Sequence, residues 1–331
     1  MEKEVVTIQQ AMSLFLENIS LARSKNTADT YDFALRAFVL TLADHKLDVE
    51  HAPITDLSED AVGWFAAALK TQAPATERLY LQAVAGFYEF LAAERLASPN
   101  LPRIKLLIRQ RARRIGQRLP QFPRDDIEKV LEYVSALPPS PTDDDPAHEH
   151  LRNLRDRAFL LTLADTGLRV HEACGLRRGD IDWNEGRAVI IGKGDKQAVV
   201  RFSTRSMAAL RDYLTVRSQL DGAAGRPLSA LPLFARHDKG AGKKVKPMTT
   251  ATGRNIVDDR VREALGDAAE GHITPHSFRH YFVTTVLRAS GNLKMAQELA
   301  RHANISVTQR YAHISDDELD KGYYDIFEKK D

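Results

Sequence analysis

The sequence predicts a mainly α-helical protein with a small antiparallel β-sheet, divided into two domains. Three observations carry that expectation. Apolar residues recur at helical spacing through the first part of the chain, up to Ile108. One short stretch, 188–200, switches to β-branched residues around two glycines. Four prolines, Pro99, Pro102, Pro120 and Pro123, bracket a basic segment between the two halves. At 331 residues the chain is long enough to bury a separate core in each domain.

In the first domain, read as residues 1–108, Ile8, Met12, Phe15, Leu16 and Ile19 share one helical face. A second helix opens near Asn26 and Thr27 and sets Tyr31, Leu35, Phe38 and Leu42 on one stripe. Ser58 reads as an N-cap, with Glu59 and Asp60 in the first turn, where the helix dipole favours acids. A fourth helix begins near Pro74, a residue tolerated in a first turn, and aligns Val84, Phe87, Tyr88 and Leu91. Four helices with short connections make a bundle.

Residues 109–122 read as a basic linker. From Leu101 to Arg118 the chain carries Arg103, Lys105, Arg109, Arg111, Arg113, Arg114 and Arg118, with no acid among them. The second domain, 123–331, opens with a helix over 127–134, followed by an acidic, proline-rich loop over 138–145. A helix over 155–165 is ended by Gly167. Ala188-Val-Ile-Ile191 and Ala198-Val-Val200 flank Gly192-Lys-Gly-Asp-Lys196, the pattern of a β-hairpin with a glycine-bearing turn. Helix returns over 207–218 and dominates from Ala251 onward. There are no internal repeats and no low-complexity tract.

Formal net charge is only +2, so bulk charge announces no nucleic-acid partner. Local charge does. Besides the linker, Lys239, Lys243, Lys244 and Lys246 crowd around a single Asp238. Such clusters can track a phosphate backbone, which makes Arg109, Arg111, Arg113, Arg114, Lys243 and Lys244 candidate DNA contacts. Cys174 is the only cysteine, which excludes an intrachain disulfide and a cysteine-based metal site. The opening Met1-Glu-Lys-Glu-Val-Val lacks the layout of a signal peptide, and the longest apolar run, 61–69, is too short to span a bilayer. The expectation is a soluble, cytoplasmic protein.

Chemistry gathers in the second domain. Arg169 follows the helix-ending Gly167, where a side chain can leave the core, and a guanidinium gives a phosphate two parallel hydrogen bonds without ever losing its charge. Alone it would be a structural arginine. Glu172 is placed to buttress it. Lys193 sits in the hairpin turn, from which an ammonium can protonate a leaving oxygen, and Lys196 competes for that role. No Lys-Ser/Thr follows, so the turn is not a phosphate loop. His276 and Arg279 lie three apart at a helix start set by Pro275 and project from one face. His272, His276 and His280 recur every four residues, but Pro275 interrupts the spacing and no acidic ligand sits alongside, so a metal stripe is disfavoured. His302 and Tyr311 complete the set. A tyrosine, with a free pKa of about 10, attacks well only where cations stabilise its phenolate.

Arg169, Lys193, His276, Arg279, His302 and Tyr311, in Thr166-Gly-Leu-Arg-Val-His-Glu172, Gly192-Lys-Gly-Asp-Lys196, Pro275-His-Ser-Phe-Arg-His280 and Leu299-Ala-Arg-His302 through Gln309-Arg-Tyr-Ala-His313, resemble the motifs of the tyrosine recombinase (phage integrase, Xer-like) family. The resemblance covers residues 124–331 and, more weakly, the bundle. It implies a SAM-like core-binding bundle and an α+β catalytic domain, with Tyr311 as nucleophile and the other five as activating residues. It also implies a 3′-phosphotyrosyl intermediate, a Holliday junction, double-stranded DNA as partner, and a homotetramer on DNA formed from a monomer in solution. A partner recombinase or accessory protein is compatible with it; no cofactor or metal is expected. Two residues depart from the pattern. Arg301 stands where a glycine is usual, which suggests a further phosphate contact or an exposed side chain, and His171 stands where serine is common. Residues 316–330 read as a tail helix that folds back on its own core or docks on a neighbouring protomer. Competing readings are a type IB topoisomerase, a telomere resolvase and a non-catalytic DNA-binding protein on the same scaffold.

Overall fold

The computed structural model describes residues 6–113, 123–137, 146–191, 197–238, 240–241 and 244–301. The chain divides into two units, Met1–Arg118 and Leu119–Asp331.

The first unit holds α1 (Ile8–Ala22), α2 (Lys25–Asp44), α3 (Asp60–Ala68), α4 (Pro74–Ala93) and α5 (Leu101–Arg111). Thr7 and Gln10 cap α1 reciprocally, each side-chain oxygen accepting the other's backbone N–H. The stripes expected on α1, α2 and α4 close over one core in which Phe15 meets Phe87 and Phe38 meets Phe65, with ring centroids 5.6 and 5.2 Å apart. Burying each such ring contributes about 2–3 kcal/mol. The cap of α3 falls one residue later than expected: Glu59, not Ser58, occupies it. The Ser58 carbonyl accepts the buried Tyr88 hydroxyl at 2.7 Å, and the Glu59 carboxylate accepts the Asn100 N–H at 2.6 Å.

The basic segment that reads as linker begins as helix. Asn100 caps α5 by accepting the Arg103 N–H at 3.0 Å, and Pro102 lies in the first turn, where a proline ring is tolerated. Ile104 enters the bundle core. The helix therefore runs through Arg109 and Arg111 before the chain turns extended at Ala112. Its end is fastened by Glu77, whose side chain is completely buried. That carboxylate accepts from Lys70 Nζ at 2.8 Å, from the Arg113 N–H at 3.0 Å and from Arg113 Nε at 2.6 Å. Arg113 Nη2 turns to the carbonyls of Leu69 and Gln72.

The second unit opens with α6 (Arg124–Ala136) and α7 (Pro146–Thr166), then α8 (Val170–Gly175). A three-stranded antiparallel sheet follows in the order β1 (Ile181–Asp182), β2 (Arg187–Ile191), β3 (Gln197–Arg201). Val189 pairs with Val199 and Ile191 with Gln197. Ala188, Ile190 and Val200 face the core; Val189, Ile191 and Val199 face solvent. Then come α9 (Thr204–Val216), α10 (Ser218–Gly222), α11 (Thr250–Leu265), α12 (Pro275–Ser290) and α13 (Leu293–Ala300). Helix α7 is the central post. It packs against α6, α8, α9 and α12, with Phe159, Leu160 and Leu163 wholly buried.

Buried ion pairs fix the periphery of this unit. Arg217, fully buried, donates to Asp221 at 2.9 Å, to the Tyr213 hydroxyl at 3.0 Å and to the carbonyls of Pro232 and Leu233 at 2.8 Å. Arg260 clamps α11 to α7 through Asp156 and Asn153. Among the described residues no helix is long and apolar enough to cross a membrane. The acidic loop at 138–145, Arg114, Lys193, Lys196, Lys243, His302, Tyr311 and the tail at 316–330 lie outside the described residues.

Burial pushes the Glu77 carboxyl up, but hydrogen bonds from Lys70 and Arg113 outweigh it and hold the group down at about 2. A folded pKa below the unfolded value stabilises at pH above about 4.5, and that contribution is lost as pH falls toward about 2. Glu77→Gln should cost about 3 kcal/mol, because it leaves two cations facing a neutral buried group. Chemical denaturation of the intact chain measures this. An unshifted midpoint in the variant would show that Glu77 does not fasten the end of α5.

Candidate active site

The site is built on the turn between α7 and α8. Gly167 adopts a left-handed φ of 60°, and a Cβ placed there would lie 2.5 Å from the Phe282 ring, so both conformation and space require glycine. Thr166 Oγ1 accepts the Leu168 N–H at 3.2 Å and steadies the turn. The chain then enters α8 with Arg169 at its N-cap. Glu172, on the first turn of α8, accepts the Arg169 N–H at 2.8 Å and Arg169 Nη1 at 2.9 Å. The Arg169 side chain stays 44% exposed, whereas Glu172 is 5% exposed. A buried carboxylate thus holds a guanidinium that still faces outward.

Helix α12 brings the second half. Thr274 and Ser277 cap it, the Thr274 N–H donating to Ser277 Oγ at 3.0 Å, and Pro275 starts it. His276 and Arg279 follow on one face. Arg279 is 2% exposed, and its Nη1 and Nη2 donate to the carbonyls of Gly167 and Ala300. Desolvation, then the guanidiniums of Arg279 and Arg169, hold the His276 imidazole below its ordinary value, so it is neutral near pH 7. His280 lies one turn on, its ring centroid 4.5 Å from that of His276, and desolvation with His276 and Arg279 pushes it down to about 4. Among the described residues no group of three His, Cys, Asp or Glu side chains could hold a metal ion.

Arg169, Glu172, His276 and Arg279 therefore converge on one turn. Arg301 joins them, in a way the sequence does not suggest. Its side chain is 11% exposed, and its Nη2 donates to Glu172 Oε2 at 3.2 Å and to the Gly167 carbonyl at 3.3 Å. The expectation of an exposed side chain is corrected by that buried ion pair. Burial pushes the Glu172 carboxyl up, but the Arg169 N–H and the guanidiniums of Arg301 and Arg169 bring it below the usual carboxylate range. The available signal was positional: an arginine directly after a helix end, at a place that favours glycine.

Asp165 is a second residue that the sequence pattern does not mark. It accepts Arg205 Nε at 2.7 Å and the Ser203 hydroxyl at 2.5 Å, tying the exit of the hairpin to the last turn of α7. Of the candidate DNA contacts, Arg109 and Lys244 are exposed. Arg111 is exposed too, with its guanidinium packed over Gly63. Arg113 is taken up by Glu77.

A model of the phage integrase family matches residues 143–318. The tyrosine recombinase XerC of Pelobacter propionicus is 33% identical over 301 residues, covering 91% of this chain and 88% of that protein. The chain belongs to the phage integrase family. XerC of Treponema denticola is 30% identical over 303 residues, covering 91% and 92% of the two chains. Among solved structures, XerH recombinase bound to palindromic difH substrate in a post-cleavage complex superposes with a TM-score of 0.67 at 17% identity, covering 96% of this chain and 84% of that one. A lambda integrase dimer bound to a core site gives 0.63 at 16% identity, covering 92% and 95%. At such identities the structures share the fold. Membership of this integrase family makes the chain a tyrosine-type recombinase, an enzyme of site-specific DNA strand cleavage and rejoining.

Gly167→Ala forces a left-handed alanine into the Phe282 ring and should destabilise the protein by about 2 kcal/mol. Thermal unfolding of the full chain provides the test. An unchanged melting temperature would show that the turn adapts freely and does not fix Arg169.

Proposed function

We propose that Tyr311 is the nucleophile of a Xer-like recombinase whose activating groups are Arg169, Lys193, His276, Arg279 and His302. The observation that carries this reading is the convergence of Arg169, Glu172, His276 and Arg279 on the Gly167 turn. Permanent guanidinium charge suits the non-bridging oxygens of a phosphodiester, whose negative charge grows as a fifth oxygen approaches phosphorus. Arg169 takes the role of direct contact, since its side chain faces outward. Arg279, anchored on two carbonyls, contributes positive potential from beneath. A neutral His276 can accept a hydrogen bond or a proton from the attacking hydroxyl.

The reaction then balances without external energy. The tyrosine hydroxyl loses its proton, its oxygen bonds to phosphorus, and the bond from phosphorus to the 5′ oxygen breaks. Lys193 supplies the proton that this oxygen takes up. The product is a 3′-phosphotyrosyl bond and a free 5′ hydroxyl. A hydroxyl from a partner duplex reverses the step, and two rounds pass through a Holliday junction within a tetramer. Double-stranded DNA is gripped by the bundle and the basic segment after it, in keeping with the complexes formed by XerH and lambda integrase. Those backbone contacts weaken steeply with salt. The biological task is Xer-like resolution, or integration and excision of a mobile element.

Covalent capture tests the reading. The wild type and Tyr311→Phe are expressed in cells, adducts are precipitated under denaturing conditions, and the attached DNA is sequenced. The wild type should give adducts at a narrow set of sites, Tyr311→Phe should give none, and the two should bind DNA with nearly equal affinity. Scattered adducts would indicate a topoisomerase. Absence of adducts from both proteins would leave a DNA-binding scaffold. On the captured site, Arg169→Ala should cleave at least about 100-fold more slowly.

A further inference from the structure

Arg301 occupies the C-cap of α13 with φ 58° and ψ 42°, the left-handed conformation that glycine adopts freely and a β-carbon disfavours. An arginine persists there because its side chain is held. Nη2 reaches Glu172 Oε2 at 3.2 Å and the Gly167 carbonyl at 3.3 Å; Nη1 lies 3.5 Å from the carbonyls of Thr166 and Leu299. Glu172 is thereby shared. One oxygen serves Arg301 and the Arg169 N–H, and the other serves Arg169 Nη1.

Without Arg301, the Glu172 carboxylate would face the Arg169 guanidinium alone and offset more of its potential. With Arg301 present, the trio keeps a net positive charge, and the exposed member of it is Arg169. The same side chain ties the end of α13 to the turn that carries Arg169, and His302 is the next residue in the sequence. We infer that Arg301 is a positioning residue of the cleavage site. It balances Glu172 so that the positive potential of Arg169 is left for the scissile phosphate, and it ties the end of α13 to the Arg169 turn. This rests on the reading of Arg169 as a phosphate-contacting group.

The test uses full-length protein and nicked duplexes bearing the site returned by covalent capture; the nick lets the cleaved end diffuse away, so adducts accumulate. Arg301→Gly suits the backbone and should stay folded, with a melting temperature within a few degrees of wild type. Its cleavage should slow about 10-fold, while duplex affinity changes less than about 2-fold. Adding Glu172→Gln to Arg301→Gly removes the uncompensated carboxylate and should recover most of the lost rate. A role confined to folding would show no such recovery, so a double variant as slow as the single one would overturn the inference. Wild-type cleavage by Arg301→Gly would overturn it too, while leaving the assignment of Arg169 and Tyr311 intact. A different failure, in which Arg169→Ala cleaves normally, would sink the underlying site reading and this inference with it.

Discussion

The carbonyl oxygen of Gly167 accepts from two guanidiniums, Arg279 and Arg301, and the cationic site depends on that shared acceptor. Three arginines gathered on one turn repel each other, and repulsion in a partly desolvated place is stronger than in water. Backbone carbonyls supply negative dipole without adding a titratable charge. Among the described residues, Glu172 supplies the formal negative charge hydrogen-bonded to Arg169 and Arg301, and it is buried while Arg169 is exposed. The left-handed bend at Gly167 makes the arrangement possible. It ends α7, turns a carbonyl toward α12 and α13, and delivers Arg169 to the surface two residues later.

The first unit shows the same logic of charge. Its basic stretch contains no acid in sequence, yet several of its cations are paired in space. Arg103 meets Asp60, Lys105 meets Glu89 and Arg113 meets Glu77. The exposed pairs are worth little, about 0–1 kcal/mol each, and can be given up to a phosphate backbone. The Glu77 pair is different. Opening it would strand a buried carboxylate, so Arg113 serves as an anchor of the bundle. Arg109 and Arg111, just before it, remain on the surface. The anchor thus fixes where the chargeable surface of α5 ends.

The sequence was most legible where one physical cause dominated. Apolar stripes on α1, α2 and α4 carry their own period, and the β-branched runs at 188–191 and 198–200 pair across the turn as the pattern indicates. It was less legible where causes compete. The arginines and prolines near 100–111 look like linker, but Asn100 caps a helix there and Pro102 falls where a proline does no harm. Ser58 has the chemistry of a cap, yet Glu59 takes the position; the Ser58 carbonyl accepts the Tyr88 hydroxyl and the Glu59 carboxylate accepts the Asn100 N–H, partners 30 and 41 residues away. At the site, Arg169, Glu172, His276 and Arg279 could be nominated by type and spacing. Arg301 and Asp165 could not, since their partners lie 129 and 40 residues away.

Arginine and histidine divide the work at this turn by a difference in titration. A guanidinium keeps its charge under any condition in which the protein is folded, so its proximity to other cations is relieved by geometry alone. An imidazole has a second way out: it gives up its proton. His276 and His280 take it, both pushed down by desolvation and by the neighbouring cations. The positive potential that suits a phosphate therefore also keeps the adjacent imidazoles in the form that can accept a proton. Left-handed Arg301 carries a backbone cost of about 1 kcal/mol, an amount that one ion pair to a buried carboxylate is sufficient to offset.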